Sequence, residues 1–444
     1  VTKTRATEAI ERLMTLHPKG FDLTLERIRK LLSRLGDPQD RLPPVIHVAG
    51  TNGKGSATAF CRSMLEAAGL GVHVHTSPHL VSWHERYRIA SKPGPGQLVD
   101  DDLFADAIER VAEANGGQPI TVFEILTAVM FLLFSEQPAD VAIVEVGLGG
   151  RFDATNILSD PAVSLIMPIA LDHQAFLGDR VELIAAEKAG IIKPGCPVVV
   201  GAQSEDAARE TIVSAADRLG SPLSVYGQDF QAFEEHGRLV YQDETGLLDL
   251  PLPALNGRHQ IANAAAAIRT IRAAEFACPP EAIEKGLQTV SWPGRMQRLS
   301  SGRIVDAALP GAEVWVDGGH NPGAAVVVSE TLAELEERFS RPLFLIAGMI
   351  NTKDPLGYFR VFEDMVRHVY AIPVSGSEAG IDPVALADDA ARAGLTAQPA
   401  IDVYQALDLM AEDWKKLDVP PRILICGSLY LVGEILAENG TPPQ

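Results

Sequence analysis

The stretch VIHVAGTNGKGSATAF, Val45–Phe60, restricts the fold more than any other part of this chain. Val45–Ala49 is an apolar run too short for a helix and ends at glycine, which reads as a buried strand. A loop with glycines at 50, 53 and 55 follows, and Gly55–Ala68 carries a helical pattern. Strand, glycine loop and helix in this order suit an anion, because loop amides and the helix N-terminus converge on one point. The spacing departs from the usual phosphate loop. The pattern G-x-x-x-x-G-K-[ST] asks for glycine where Val48 stands, and Gly55 separates Lys54 from Ser56. A plain strand-to-helix turn is the alternative reading; Lys54 and Ser56, a cation and a hydroxyl at the helix start, favour phosphate.

The same rhythm recurs along the chain. Val72–Thr76, Val141–Val146 and Val163–Pro168 are short apolar runs, and Pro197–Val200 is extended. Thr121–Phe134, Val181–Lys188 and Glu205–Leu219 are helical. Unbroken apolar strands between helices predict a parallel sheet covered on both faces. An alanine-rich helix, His259–Ala274, leads to a break at Cys278–Pro280. Beyond it come strands Val314–Val316, Leu343–Ala347, Val369–Ile372 and Ile423–Cys426. Their helices are Pro322–Glu337, Pro355–Val366, Pro383–Ala393, Tyr404–Leu417 and Leu429–Glu438. The expectation is an α/β chain of two domains. Residues 1–293 form a phosphate-loop (P-loop) domain, 294–298 a linker, and 299–444 a smaller, doubly wound Rossmann-like domain.

A formal charge of −20 argues against general nucleic-acid binding, whose affinity comes from cationic neutralisation of phosphates. It leaves room for a local anion site. No run of 18 apolar residues and no signal-peptide pattern is present, so no membrane partner is expected. Cys61, Cys196, Cys278 and Cys426 are far apart and form no C-x-x-C pair. They read as reduced thiols of a cytoplasmic protein.

Several residues stand where chemistry is expected. Glu145 ends a buried strand at the edge that faces ligands in an open α/β sheet. It is either a salt-bridged strand end or a metal ligand, since an unpartnered buried carboxylate costs on the order of several kcal/mol. His173 follows another strand; on residue chemistry alone it reads as structural, because magnesium rarely takes imidazole. Ser77 reads as a turn cap, Lys188 as a solvated helix charge, and Asn263 as a polar helix residue.

The string AGTNGKGS resembles the phosphate loop of the Mur ligase superfamily, and within it the folylpolyglutamate synthase/dihydrofolate synthase family. The resemblance continues through TSPHL (Thr76–Leu80), ERYRI (Glu85–Ile89), TVFEILT (Thr121–Thr127), EVGLGGRFDATN (Glu145–Asn156) and LDH (Leu171–His173). EKAGIIKPG (Glu187–Gly195), HQIANAAAA (His259–Ala267), WPGRMQ (Trp292–Gln297), VDGGHNP (Val316–Pro322) and CGSLYLVGE (Cys426–Glu434) complete it in family order. One departure is Gly319, where the family usually has alanine.

The resemblance implies an ADP-forming ligase with ATP as co-substrate and two magnesium sites. It implies ATP contacts from Thr51, Asn52, Gly53, Lys54, Gly55, Ser56, Asn263, Arg295 and Asp317. It implies metal ligation by Ser77, Glu145 and His173, and catalytic roles for Lys54, Lys188 and His320, with Lys188 a candidate for carbamylation. Asp22, Leu23, Thr24, Thr121, Phe123, Glu124, Phe152, Asp153 and Ala154 match segments that line the pterin site in bifunctional members. Phe123 and Phe152 then stack on a heterocycle or, as plain aromatics, fill the core.

The expected reaction joins L-glutamate to dihydropteroate and to folates. A carboxylate attacks the γ-phosphate to give an acyl phosphate and ADP, and the glutamate amine displaces phosphate. Such catalysis rests on positioning and electrostatics. The partners expected are these small molecules, and the chain is expected to be a monomer. A ligase that only extends folates and a P-loop switch without ligation are the alternatives. A peptidoglycan-type ligase is not expected, because it would carry an additional domain of ~100 residues before the loop.

Overall fold

The computed structural model describes residues 4–16, 24–92, 94–414 and 418–443; Asp22 and Leu23 lie outside them. The first sheet holds β1 (Val45–Ala49), β2 (Val72–His75), β3 (Tyr87–Ile89), β4 (Gln97–Leu98), β5 (Val141–Glu145), β6 (Val163–Ile166), β7 (Val198–Val200) and β8 (Leu223–Val225). Their order is β4-β3-β2-β5-β1-β6-β7-β8. The six strands from β2 to β8 run parallel. Antiparallel β3 and β4 close one edge.

Both faces of this sheet are covered, which explains its unbroken apolar runs. Ile46 and Val48 pack with Phe60 and Met64 of helix Lys54–Ala67 and with alanines of helix His259–Ala273. Ala142 and Val144 face the other way, toward Phe131 and Phe134 of helix Val122–Glu136. Ile166, Val198 and Val200 meet Ile184 and Ile212 on helices Val181–Lys188 and Asp206–Arg218.

Sequence periodicity assigned no element between Leu219 and His259. There the chain forms an antiparallel sheet of β9 (Phe230–Glu235), β10 (Arg238–Asp243) and β11 (Gly246–Pro251). His236 and Gly237 both have positive φ, the two-residue turn whose twist suits a hairpin. Phe230, Ala232, Leu239 and Tyr241 turn inward and join the core under β1.

The third sheet holds β12 (Gln297–Leu299), β13 (Glu313–Asp317), β14 (Leu343–Ala347), β15 (Val366–Ala371), β16 (Ala397–Pro399) and β17 (Arg422–Cys426), in the order β12-β13-β17-β14-β15-β16. Only β12 runs antiparallel to its neighbour among these described strands. The helix expected to reach Val366 stops at Arg360. Asp364 takes a left-handed φ of 66°, which ends helical continuation, and β15 starts three residues earlier than periodicity suggested. Helix Val403–Asp413 likewise ends before Leu417, a residue outside those described.

Among the described residues no helix is long and apolar enough to cross a membrane. All four cysteines are free; Cys61, Cys196 and Cys426 are buried, and Cys278 is half-buried.

Candidate active site

The C-terminal ends of β1, β2, β5 and β6 meet the loop after β13 across a cleft of ≈ 1300 Å³. Its lining includes Gly50–Ser56, Ser77, Glu145, His173, Lys188, Asn263, Arg295, Asp317 and His320. The residues expected to bind nucleotide and metal therefore share one space, although they span nearly 270 positions of sequence.

The phosphate loop is built by close contacts. Gly53 has φ 80°, a left-handed conformation that ends the loop and starts helix Lys54–Ala67. A Cβ on Gly55 would come within 2.5 Å of the Trp292 ring, so only glycine fits between helix and indole. Within the loop, the amides of Thr51 and Asn52 both donate to Pro168 O, at 2.9 and 3.1 Å, while both residues line the cleft. Thr51 Oγ1 donates to Ala170 O at 3.1 Å and accepts from Ala170 N at 3.1 Å. The amides free of helical acceptors begin at Gly53, in the first turn of the helix.

Lys54 Nζ donates to Gly50 O at 3.0 Å and Thr51 O at 3.2 Å, and lies 3.9 Å from Glu145 Oε1. Burial lowers its pKa, opposed by the charges of Glu145 and Asp172. Lys188 is buried, not solvated, and donates to the same Gly50 carbonyl at 2.9 Å. Burial, then the positive charge of Lys54, brings its pKa down to about 7. Ser56 is buried and accepts from Gln260 Nε2 at 3.4 Å.

Glu145 is buried, and burial raises its pKa against the pull of Lys54 and Arg295. Ser77 follows β2 and supplies a backbone hydrogen bond to that carboxylate. His173 has a left-handed φ of 51° and a ring 43% exposed on the cleft wall, and partial burial lowers its pKa to about 4, leaving a neutral imidazole near neutral pH. Among the described residues no three His, Cys, Asp or Glu side chains group as a closed metal cage. The donors present are a buried carboxylate, a hydroxyl and a neutral imidazole on an open cleft. That set fits a divalent cation that keeps water or ligand oxygens in its shell.

Across the cleft, Asp317 ends β13, accepting from Met296 N at 2.8 Å and Gly319 N at 2.7 Å. A Cβ on Gly319 would lie 2.8 Å from Asp317 Oδ1, so the glycine that departs from the family leaves that oxygen room. Asn263 Nδ2 donates to Gln260 Oε1 at 3.0 Å. His320 Nδ1 donates to Gly318 O at 2.9 Å, which turns Nε2 toward Asp172 Oδ2 at 3.6 Å.

Sequence reasoning missed two central residues. Asp172 and Lys353 form a buried ion pair at 2.7 Å on the cleft wall. Burial raises the Asp172 pKa, but hydrogen bonding by His320 and the charges of Lys353, His320 and His173 outweigh it and hold the carboxyl well below its ordinary range. Asp172 stands in the LDH string beside His173, and nothing local in the sequence marks Lys353.

Among the described residues, none of the pterin candidates lines this cleft. Thr121 and Glu124 form a capping box at helix Val122–Glu136, and Glu124 accepts from Arg27 Nε at 3.0 and 3.1 Å. Phe123 is half-buried against Gly147, and Phe152 is 42% exposed. Ala154 is buried, and Thr24 Oγ1 accepts from Glu26 N at 3.2 Å. Asp153 accepts from Gly147 N, Leu148 N and Thr155, holding the Gly147–Gly149 loop that does line the cleft.

Comparison with known proteins identifies this architecture. The Mur ligase middle domain model matches residues 48–271. Folylpolyglutamate synthase of Lacticaseibacillus casei is 36% identical, with 92% of each chain covered. The chain belongs to the Mur ligase family. The dihydrofolate synthase/folylpolyglutamate synthase of Escherichia coli K12 is 34% identical over 96% of this chain and 93% of its own length. A crystal structure of a bifunctional folylpolyglutamate synthase/dihydrofolate synthase with Mn, AMPPNP and L-glutamate bound superposes with a TM-score of 0.83 at 31% identity, covering 98% of both chains. Within the Mur ligase family this chain is thus an ADP-forming ligase of the dihydrofolate synthase/folylpolyglutamate synthase type.

Proposed function

We propose that the chain adds L-glutamate both to dihydropteroate and to reduced folates, with ATP cleaved to ADP. The observation that carries this is the convergence of the Gly50–Ser56 loop, Glu145, Lys188, Arg295, Asp317 and His320 on one cleft. The triphosphate lies along the amides from Gly53 to Ser56, with Lys54 turning from its own loop carbonyls toward the β/γ oxygens. Arg295 and Asp317 hold the nucleotide from the junction and the second sheet, and Asn263 lies at its base. Glu145, Ser77 and His173 would hold divalent magnesium, two ions by the family resemblance, which would neutralise triphosphate charge. Lys188 carries a carbamate in the active form. The acceptor carboxylate attacks the γ-phosphorus, ADP leaves, and the glutamate amine displaces phosphate from the acyl phosphate beside His320.

The pterin lies against Phe123, Phe152 and the Asp153–Ala154 turn, across the Gly147–Gly149 loop from the cleft. Thr24, Thr121 and Glu124 border that site, and Asp22 and Leu23 are assigned to it by the sequence motif they belong to. We place the domain junction at 294–298, between the two α/β sheets, and the enzyme in the cytoplasm as a monomer.

The test is ADP release with L-glutamate and either dihydropteroate or tetrahydrofolate. Turnover with both acceptors is expected. No turnover with dihydropteroate removes the synthase half, and ADP release indifferent to both acceptors removes the ligase reading. Lys54→Ala should lower kcat/KM by about 100-fold or more while the protein stays folded.

A further inference from the structure

Asn321 follows His320 and caps helix Pro322–Arg338 through Ala324 N, which donates to its Oδ1 at 2.8 Å. A cap needs only one oxygen, yet this amide is 3% exposed and engaged on every side. Its Oδ1 also accepts from Asn52 Nδ2 at 3.4 Å. Its two amide hydrogens go to Asn52 Oδ1 at 3.2 Å and Asp172 Oδ2 at 3.3 Å. An asparagine side chain has two donor hydrogens and two principal acceptor directions, so all four are used. Three of the four contacts reach the opposite wall of the cleft.

Those partners are themselves fixed. Asn52 is the tip of the phosphate loop, with its backbone amide on Pro168 O. Asp172 is held by Lys353, which returns the connection to the second sheet's side. Backbone approach tightens the junction, since a Cβ on Gly323 would lie 3.2 Å from Ala170 Cβ and 3.4 Å from Asn52 Nδ2. Serine or aspartate would cap the helix equally well. Only an amide both donates to Asp172 and pairs reciprocally with Asn52.

We propose that Asn321 is a positioning residue that fastens the tip of the phosphate loop to the second sheet and so sets the placement of His320 and Asp317 against Lys54. It touches no reacting atom in this role. It makes the two walls of the cleft one unit, so that groups on opposite sides stay in reacting register.

The test separates capping from fastening. Asn321→Ser keeps a capping oxygen but cannot reach Asn52 or Asp172, and it introduces no charge. Asn321→Ala removes both functions. In the ligand-free protein, Asn321→Ser should speed amide hydrogen exchange severalfold across Gly50–Ser56 and leave Ala324–Val326 within twofold of the parent. Asn321→Ala should speed both segments. In turnover, Asn321→Ser should lower kcat by on the order of tenfold, with the acceptor KM little changed, because misplacement acts on reaction geometry. Asn52→Ala should lower kcat too, and Asn321→Ser should cost markedly less in that background.

Unchanged exchange at Gly50–Ser56 in Asn321→Ser overturns the proposal, as does kcat within twofold of the parent or full additivity with Asn52→Ala. The kinetic readings rest on the ligase activity proposed above. The exchange reading does not, so a parent protein without pteroate-dependent turnover would fail that function and leave Asn321 to be decided by exchange.

Discussion

Lys188 directs its ammonium nitrogen onto the carbonyl oxygen of Gly50, 2.9 Å away, at the first residue of the phosphate loop. Lys54 reaches the same oxygen from the helix side at 3.0 Å. Two cations on one carbonyl in a buried place repel each other, and the one with less compensation gives up its proton more readily.

Burial, then Lys54, brings the Lys188 pKa down from 10.5 to about 7. Carbamylation consumes the neutral amine, so it grows as pH rises through about 7. Isotope-labelled bicarbonate should show a carbamate carbon by NMR at pH 8 that is weak at pH 6 and missing from Lys188→Ala. The same sign governs stability. The unfolded chain keeps the Lys188 proton up to 10.5 while the folded one releases it near 7, so this group favours folding increasingly as pH rises across that window. Lys188→Met should flatten that part of the stability profile.

Glu145 is a buried carboxylate whose pKa burial raises, with Lys54 3.9 Å away. Glu145→Gln keeps the shape and removes the charge. Divalent-dependent ADP release should fall by about 100-fold or more, the scale of losing a preorganised charge in a dry site. Turnover with an unchanged metal requirement would remove Glu145 from the metal site.

The Asp172–Lys353 pair is buried on both sides. Lys353→Met leaves a desolvated carboxylate short of its ammonium partner, which costs about 3 kcal/mol. Asp172→Asn combined with Lys353→Met should recover part of that loss in urea unfolding. Asp172 is held below its ordinary range in the fold, where His320 and Lys353 outweigh burial. Its contribution to stability is therefore present above the ordinary carboxylate pKa and disappears as pH falls through the depressed one. Lys353→Met should move acid unfolding to higher pH.

Gly433 on helix Leu429–Asn439 packs against the segment after Ser77. A Cβ there would stand 1.9 Å from Leu80 O and 2.6 Å from Leu80 C. The obstacle is backbone, which cannot rotate away, so Gly433→Ala should cost about 1–3 kcal/mol in denaturant unfolding. Ser77 moves with Leu80, so the metal concentration needed for half-maximal activity should rise as well. An alanine variant with parental stability would show that the helix shifts freely.

The central strands of the first sheet show what could be read locally. Val45–Ala49, Val141–Glu145 and Val163–Ile166 are strands because their side chains are buried on both faces, and unbroken apolar runs record that directly. Helix Val181–Lys188 and strand Leu343–Ala347 fall where the pattern put them. Strands Phe230–Pro251 were legible in principle, through alternation and the His236–Gly237 turn, but alternation is weak where one face meets solvent.

The sequence by itself determined an α/β chain, its glycine loop, its family and the set of groups that could meet nucleotide and metal. Each of these is carried by neighbouring residues or by strings that keep their order. The tertiary structure decided which loop amides remain free, that Lys188 is buried on Gly50, and that Asp172 and Lys353 pair. It also decided that Asn321 clasps Asn52 across 269 positions. Burial and long-range hydrogen bonding set those outcomes, and both depend on which elements the folded chain brings together rather than on which residues stand side by side.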